Sequence, residues 1–554
     1  MQTLLHYFQS GANYVFSAVI LLGVLIFVHE LGHFLVARFC GVRVEVFSLG
    51  FGKKIWKVVR GDTTYCVSII PLGGYVKMYG DQPNDDVPDS LKAVSFTHKT
   101  VWQRISIVLA GPLMNCFFAI LIFAVVGIMG VDQRSPQFGD IEQNSPAWSA
   151  GLRSGDRILS INSVNVKSLE DAIPIFNKNI GSQVSLEIER DNQIQKILAP
   201  IISRDNPNPL SLSEKIGVIE GADTESIAPI IGLKSNSLLR ALGIKTGDVI
   251  KSINGTEITK YSQISSVLLK NQSSPTIQFE IERYTEGVET PEKLSVNMAT
   301  PKNISAGAES FGITSADVFL AKIIPDSPAE KAGLVAGDQI IKVNDLVISK
   351  WDQVLNSIKN WDEKNPIQIT VVRNGKELAM KVTPQMTNQV SSLGTNDKRF
   401  TIGIVPTIAV AMPEIVTIKQ EGVLTALAYG ARQTYDFSIV TVLSFVRLFQ
   451  NKISPKSVGG LISIGQAAGE TMKMGLNKFL SMMAIISVNL FILNLLPVPV
   501  LDGGHLVFYT IEVLKGSPLS LKKMEMAQQV GLVLLMSLMV FALFNDFSRL
   551  LGKL

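Results

Sequence analysis

A chain of 554 residues with 47% hydrophobic and 18% charged side chains fits an integral membrane protein with a large polar portion rather than a wholly soluble enzyme. A formal net charge of +4 is too weak to argue for a nucleic-acid partner. Cys40, Cys66 and Cys116 show no paired spacing and avoid the long polar middle, so no disulfide framework holds that region.

The first element is an apolar run from Tyr14 to Val36, long enough to cross a bilayer. Inside it stands His29-Glu30-Leu31-Gly32-His33. On a helix, HExxH sets two imidazoles at i and i+4 on one face, where both can bind one zinc ion. The glutamate beside them can act as general base toward water activated by the metal. Two histidines and a glutamate at membrane depth are costly without partners, which marks a functional site rather than a chance match. No Lys or Arg precedes the run, and cleavage as a signal peptide would discard the motif, so it reads as a retained first helix.

Apolar stretches near 105–131, 479–500 and 529–545 join the first, near 14–37, to give four expected spans. Arg38, Arg43, Lys53, Lys54, Lys57 and Arg60 follow the first span, and Lys515, Lys522 and Lys523 lie between the last two. Both loops are therefore expected on the cytoplasmic side, leaving both termini and the polar middle outside. The HExxH motif then sits near the cytoplasmic end of the first helix. Segment 423–449 is apolar but interrupted by Arg432, Asp436 and Arg447, and is expected as an amphipathic helix on the outer membrane surface.

In the polar middle a pattern recurs. Gly151…Gly155-Asp156-x-Ile158-x-x-Ile161-Asn162 returns as Gly243…Gly247-Asp248-x-Ile250-x-x-Ile253-Asn254, then as Gly333…Gly337-Asp338-x-Ile340-x-x-Val343-Asn344. A period of about ninety residues is a whole domain rather than a solenoid turn. Each copy reads as strand, turn and strand. The pattern resembles the PDZ domain family in its circularly permuted form, with Ser145-Pro146-Ala147 and Ser327-Pro328-Ala329 strengthening copies one and three. Copy two has Asn236-Ser237-Leu238 instead. PDZ folds take an extended peptide as an added strand; a copy that only screens the membrane site is the alternative.

Two histidines leave zinc short of a third protein ligand. In the third span, Pro497 and Pro499 break the helix just before Leu501-Asp502-Gly503-Gly504-His505. Asp502 would lie at the depth of His29 and His33 and offer a carboxylate oxygen. Two other readings stand beside it: Asp502 as a helix cap, and His505 as the ligand.

Together with HExxH, three further motifs resemble the site-2 protease family of intramembrane metalloproteases over nearly the whole chain. They are Gly111-Pro112-Leu113-Met114-Asn115, Asn494 with Pro497-Val498-Pro499 leading into Leu501-Asp502-Gly503, and Asn545-Asp546-Phe547-Ser548-Arg549. The resemblance implies that His29, His33 and Asp502 bind Zn2+, that Glu30 is the catalytic base, and that Asn494 assists substrate binding near the metal. Ile69 to Met78 is similar to the family's membrane-associated β-loop. Relatives of this type usually carry two PDZ domains, so a third copy is a departure.

The resulting expectation is a multi-pass α-helical membrane protein with four transmembrane helices and three tandem PDZ-like α+β domains on the outer side. The expected divisions are 1–40 (first helix), 41–103 (cytoplasmic loop with the β-loop), 104–131 (second helix), 132–205, 206–300 and 301–388 (PDZ-like copies), 389–477 (outer segment), 478–500 (third helix), 501–527 (cytoplasmic loop) and 528–554 (fourth helix and tail). The implied activity is intramembrane zinc endopeptidase in a bacterial inner membrane. The implied substrates are single-pass proteins already trimmed outside, an anti-sigma factor among them, and remnant signal peptides. A PDZ scaffold with a vestigial metal site is one alternative. A peptidase of soluble or lipid-tethered peptides, with Glu45 as nearby third ligand, is another.

Overall fold

The structure is a computed structural model that describes residues 2–551 except 82–86, 285–289, 302–303, 349 and 391–395. Side chains of 2–13, 71–72, 388–390 and 396–399 also lie outside the description, including those of Pro71 and Leu72 in the expected β-loop.

Among the described residues, four helices are long and apolar enough to cross a membrane: Tyr14–Phe39, Val101–Met129, Leu476–Leu495 and Leu521–Leu551. The first belongs to α1 (Gln2–Phe39) and the second is α2 (Val101–Met129). Thr100 starts α2 with a capping box: its hydroxyl accepts from the Gln103 amide while the Gln103 side chain accepts from the Thr100 amide. Between α1 and α2 runs an antiparallel hairpin, β1 (Val44–Arg60) and β2 (Thr63–Met78). Its register doubles back, so that Phe47 pairs with both Val76 and Tyr65, and Leu49 with both Gly74 and Val67.

Three α+β units follow. Each has a four-stranded antiparallel sheet of the same order, with one amphipathic helix: α3 (Leu169–Lys178), α4 (Ser262–Lys270) and α5 (Trp351–Lys359). Their cores run from Phe138 to Ile219, Ile231 to Ile313 and Val318 to Ile402. These cores pass the expected seams at 205 and 300. The cause is a strand at the end of each unit that returns to its first: the Gly139 amide donates to Asp223 O (2.8 Å), Lys234 to Gly312 O (2.9 Å) and Ile324 to Gly403 O (2.9 Å). Copy two keeps the serine of the turn motif. Ser237 accepts from the Leu239 amide much as Ser145 accepts from Trp148 and Ser327 from Glu330, and only the Pro-Ala is lost.

The recurrent Gly-Asp has a structural purpose that the spacing did not reveal. Asp156, Asp248 and Asp338 are almost fully buried, and each accepts two charge-assisted hydrogen bonds from an arginine 34 or 35 residues on: Arg190, Arg283 and Arg373. Each guanidinium also donates to the carbonyl of the leading glycine, Gly151, Gly243 or Gly333, at 2.7–2.8 Å. The clamp ties the turn to the central strand of the sheet.

The chain leaves α2 through β3 (Val131–Arg134) and returns through strand Ile415–Ile418, which pairs with β3. It then enters α6 (Val423–Phe449), the helix expected on the membrane surface. Ala426, Gly430 and Thr434 recur every fourth residue and are buried, forming a flat stripe that packs on α2. Phe437 stacks on Phe123 (centroids 5.5 Å apart) and Thr441 donates to Asn489 (2.7 Å) in the next long helix. Helix α7 (Leu461–Lys473) packs beside α1, with Ala468 among Leu21 and Leu25. Then come α8 (Leu476–Leu495), α9 (Asp502–Lys515) and α10 (Leu521–Leu551). Helix α8 ends five residues short of the expected 500, because Pro497 and Pro499 cannot donate to the preceding turn. Helix α10 begins at Leu521, earlier than the expected 528.

Removing a clamp arginine strands a buried carboxylate. Arg373→Ala should lower the stability of its unit by roughly 2–3 kcal/mol, less than a wholly buried pair would lose because the guanidinium is partly in water. Urea unfolding of the α+β units in the full-length protein in detergent, compared with Lys376→Ala on the exposed surface, measures it.

Candidate metal centre

The centre starts on α1. His29 and His33 lie one turn apart with ring centroids separated by 4.8 Å and Nε2 atoms by 3.2 Å. His33 Nδ1 sits 2.9 Å from the carbonyl oxygen of Ile107 on α2. A carbonyl only accepts, so Nδ1 carries the proton and Nε2 presents its lone pair. The imidazoles fit against α2 because residue 111 is glycine: a Cβ there would collide with His33 Nε2 and His29 Cε1.

The third group arrives from the far end of the chain. Beyond α8, residues Leu496 to Leu501 turn sharply, held by Val498 N donating to Leu496 O (2.7 Å) and Leu501 N to Val498 O (2.8 Å). Gly503 and Gly504 let the start of α9 press on that turn, since a Cβ on either would strike the backbone of 495–499. Asp502 is thereby set with Oδ2 3.2 Å from His29 Nε2 and 3.6 Å from His33 Nε2. All three ligand atoms lie within 4.8 Å of one another. Separations of 3.2–3.6 Å suit the edges of a tetrahedron with bonds near 2.0–2.1 Å, for which the edge is about 3.3 Å. Two imidazole nitrogens and one carboxylate oxygen thus fit zinc with a position left open.

The rival candidates lie elsewhere. His505 is outside the cluster, its ring near Phe508 and Tyr509. Glu45 pairs with Lys77 (2.8 Å). The residue capping α9 is Leu501 rather than Asp502. Helix α9 is held to the start of α2 by a two-pronged pair, Arg104 to Glu512 at 2.7 and 3.2 Å, with the guanidinium over the Tyr509 ring. Burial pushes the Tyr509 hydroxyl up to about 12, so it stays neutral. The sequence did not signal this clamp, because its partners are 408 residues apart.

Glu30 follows His29 and borders the hairpin: its Cγ abuts Gly74, and its carboxylate lies at the Val76 backbone. Asn494 is half-buried near the end of α8, and among the described residues its amide has no hydrogen-bond partner. Asn115, fully buried on α2, faces His29 Nδ1 at 3.4 Å.

Such a donor set among membrane-length helices, with a carboxylic acid beside it, is the arrangement of a membrane-embedded metallopeptidase. The model of peptidase family M50 matches residues 17–538, and the chain belongs to that family. It is a zinc metalloprotease of the site-2 type. It is 34% identical to Protease RseP of Yersinia pestis over 96% of this chain and 98% of the relative. It is 32% identical to the regulator of sigma E protease of Haemophilus influenzae, and 31% identical to that of Escherichia coli K12, with the same coverage of both chains.

A methyl group at position 111 should push the imidazoles apart. Gly111→Ala is expected to purify as a folded protein with zinc content reduced at least tenfold, measured by elemental analysis against the wild type.

Proposed function

We propose that His29, His33 and Asp502 hold the zinc ion and that Glu30 is the general base of an endopeptidase acting on peptide bonds within the membrane. The observation carrying this reading is the meeting of two nitrogens from α1 and one oxygen from the start of α9 at 3.2–3.6 Å. When bound, zinc polarises the scissile carbonyl and acidifies water. Glu30 takes the proton of the attacking water and returns it to the leaving amine. Asn494, with a free amide, donates to the substrate backbone or to the developing oxyanion.

A transmembrane helix hides its peptide bonds in its own hydrogen bonding and must be unwound before attack. Strand Gly74–Met78 pairs with β1 on one side and borders Glu30, which makes β2 a template for the unwound segment. The Lys and Arg of the 38–104 and 515–523 loops, with four candidate spans, support a metal site near the cytoplasmic face of a bacterial inner membrane. The three α+β units then lie outside as PDZ-like domains, and β3 with strand Ile415–Ile418 forms their stalk. The names of the relatives point to sigma E regulation; we infer a single-pass anti-sigma factor, trimmed outside first, as substrate.

Glu30→Gln keeps the shape of the side chain and removes the base. The variant should retain one zinc per chain while cleavage of a single-pass model substrate in detergent falls by about 10²–10⁴-fold. Cleavage at the wild-type rate by zinc-loaded Glu30→Gln would contradict the assignment.

A further inference from the structure

The proposed zinc site uses Nε2 of both histidines, so each Nδ1 has to carry its proton and find an acceptor. For His33 the acceptor is the backbone carbonyl of Ile107 at 2.9 Å. For His29, among the described residues, the one hydrogen-bonding neighbour of Nδ1 is the side-chain amide of Asn115, at 3.4 Å. Asn115 is fully buried, and among the described residues its Oδ1 has no partner. With Nδ2 toward the ring, the imidazole would have to be protonated on Nε2, facing Asp502, and could not bind metal there. Turning the amide over sets Oδ1 opposite Nδ1–H and frees Nε2. The two orientations have nearly the same shape, and an amide's oxygen and nitrogen are assigned from their hydrogen bonds rather than seen directly. The metal chooses between them.

We infer that Asn115 is a positioning residue for zinc, its side-chain oxygen holding His29 in the tautomer and ring orientation that present Nε2 to the ion. The inference rests on the zinc reading given above. Its surroundings suit the task. The Asn115 carbonyl accepts from Ser487 Oγ (2.8 Å), which fixes this turn of α2 against α8, and Gly111 one turn earlier leaves room for both imidazoles. An amide brings an acceptor into an apolar bundle without bringing a charge. The two histidines are thus held by different means: His33 by a backbone group that no substitution removes, His29 by a side chain that one can.

The test uses the full-length protein in detergent and reads zinc rather than turnover. Asn115→Leu keeps the volume and removes the acceptor; Asn115→Asp restores an acceptor to the same ring nitrogen. Competition with a colorimetric zinc chelator should show affinity lower by about 10–100-fold in Asn115→Leu and close to wild type in Asn115→Asp. Wild-type affinity in Asn115→Leu would overturn the inference, and so would equal loss in both variants. If Asn115→Leu fails to fold, judged by size-exclusion and thermal melting, Asn115→Asp decides alone: zinc held as in the wild type supports the inference and zinc lost overturns it. A wild-type protein without stoichiometric zinc would instead overturn the reading beneath it.

Discussion

Hydrocarbon solvates neither a free backbone amide nor an ionised carboxylate, so a polar site between membrane helices lasts only where neighbouring elements satisfy it. The arrangement around His29 and His33 follows from that constraint. One imidazole is steadied by a backbone carbonyl of α2, and both are seated by the glycine one turn further along. The turn after α8 bonds to itself, with prolines where donors would otherwise be stranded, and two glycines bring Asp502 back against α1. No single segment makes the site. It exists because the first helix and the start of α9, more than 450 positions apart in the chain, share α2 as a common wall.

The same wall connects the site to the rest of the molecule. At one end α2 is tied to α9 through Arg104 and Glu512; at the other it continues into β3, which pairs with strand Ile415–Ile418 beside the three α+β units. Helix α6 follows strand Ile415–Ile418 and packs on α2 through a stripe of small residues and on α8 through Thr441 and Asn489. The three α+β units are stabilised differently, each by its own core and a buried Asp–Arg clamp.

Much of this was legible in the sequence, and the reasons for the remainder are physical. HExxH is local, so one turn of helix fixes the relation of His29 to His33. Spans could be read because length and apolarity follow from bilayer thickness. The repeat could be read because Gly-Asp turns and apolar alternation are short-range signals. Asp502 could not be told from His505 by spacing alone; choosing between them needed the fold of the turn, or the family resemblance. The packing of helix α6 was not legible, because the spacing of Ala426, Gly430 and Thr434 shows its meaning only beside α2. The cores run past the expected seams at 205 and 300 because the last strand of each unit bonds back to its start, far away in the chain. Arg104 with Glu512, and each clamp arginine, are long-range pairs with no local signature.

The central claim is that one ion is held jointly by α1 and the start of α9. Zinc K-edge absorption on the purified full-length protein tests it most directly. The account predicts a first shell of nitrogen and oxygen only, with an imidazole signal from two rings, and loss of the metal in Asp502→Ala. Zinc retained with an unchanged spectrum in Asp502→Ala, or a shell containing sulfur, would contradict it.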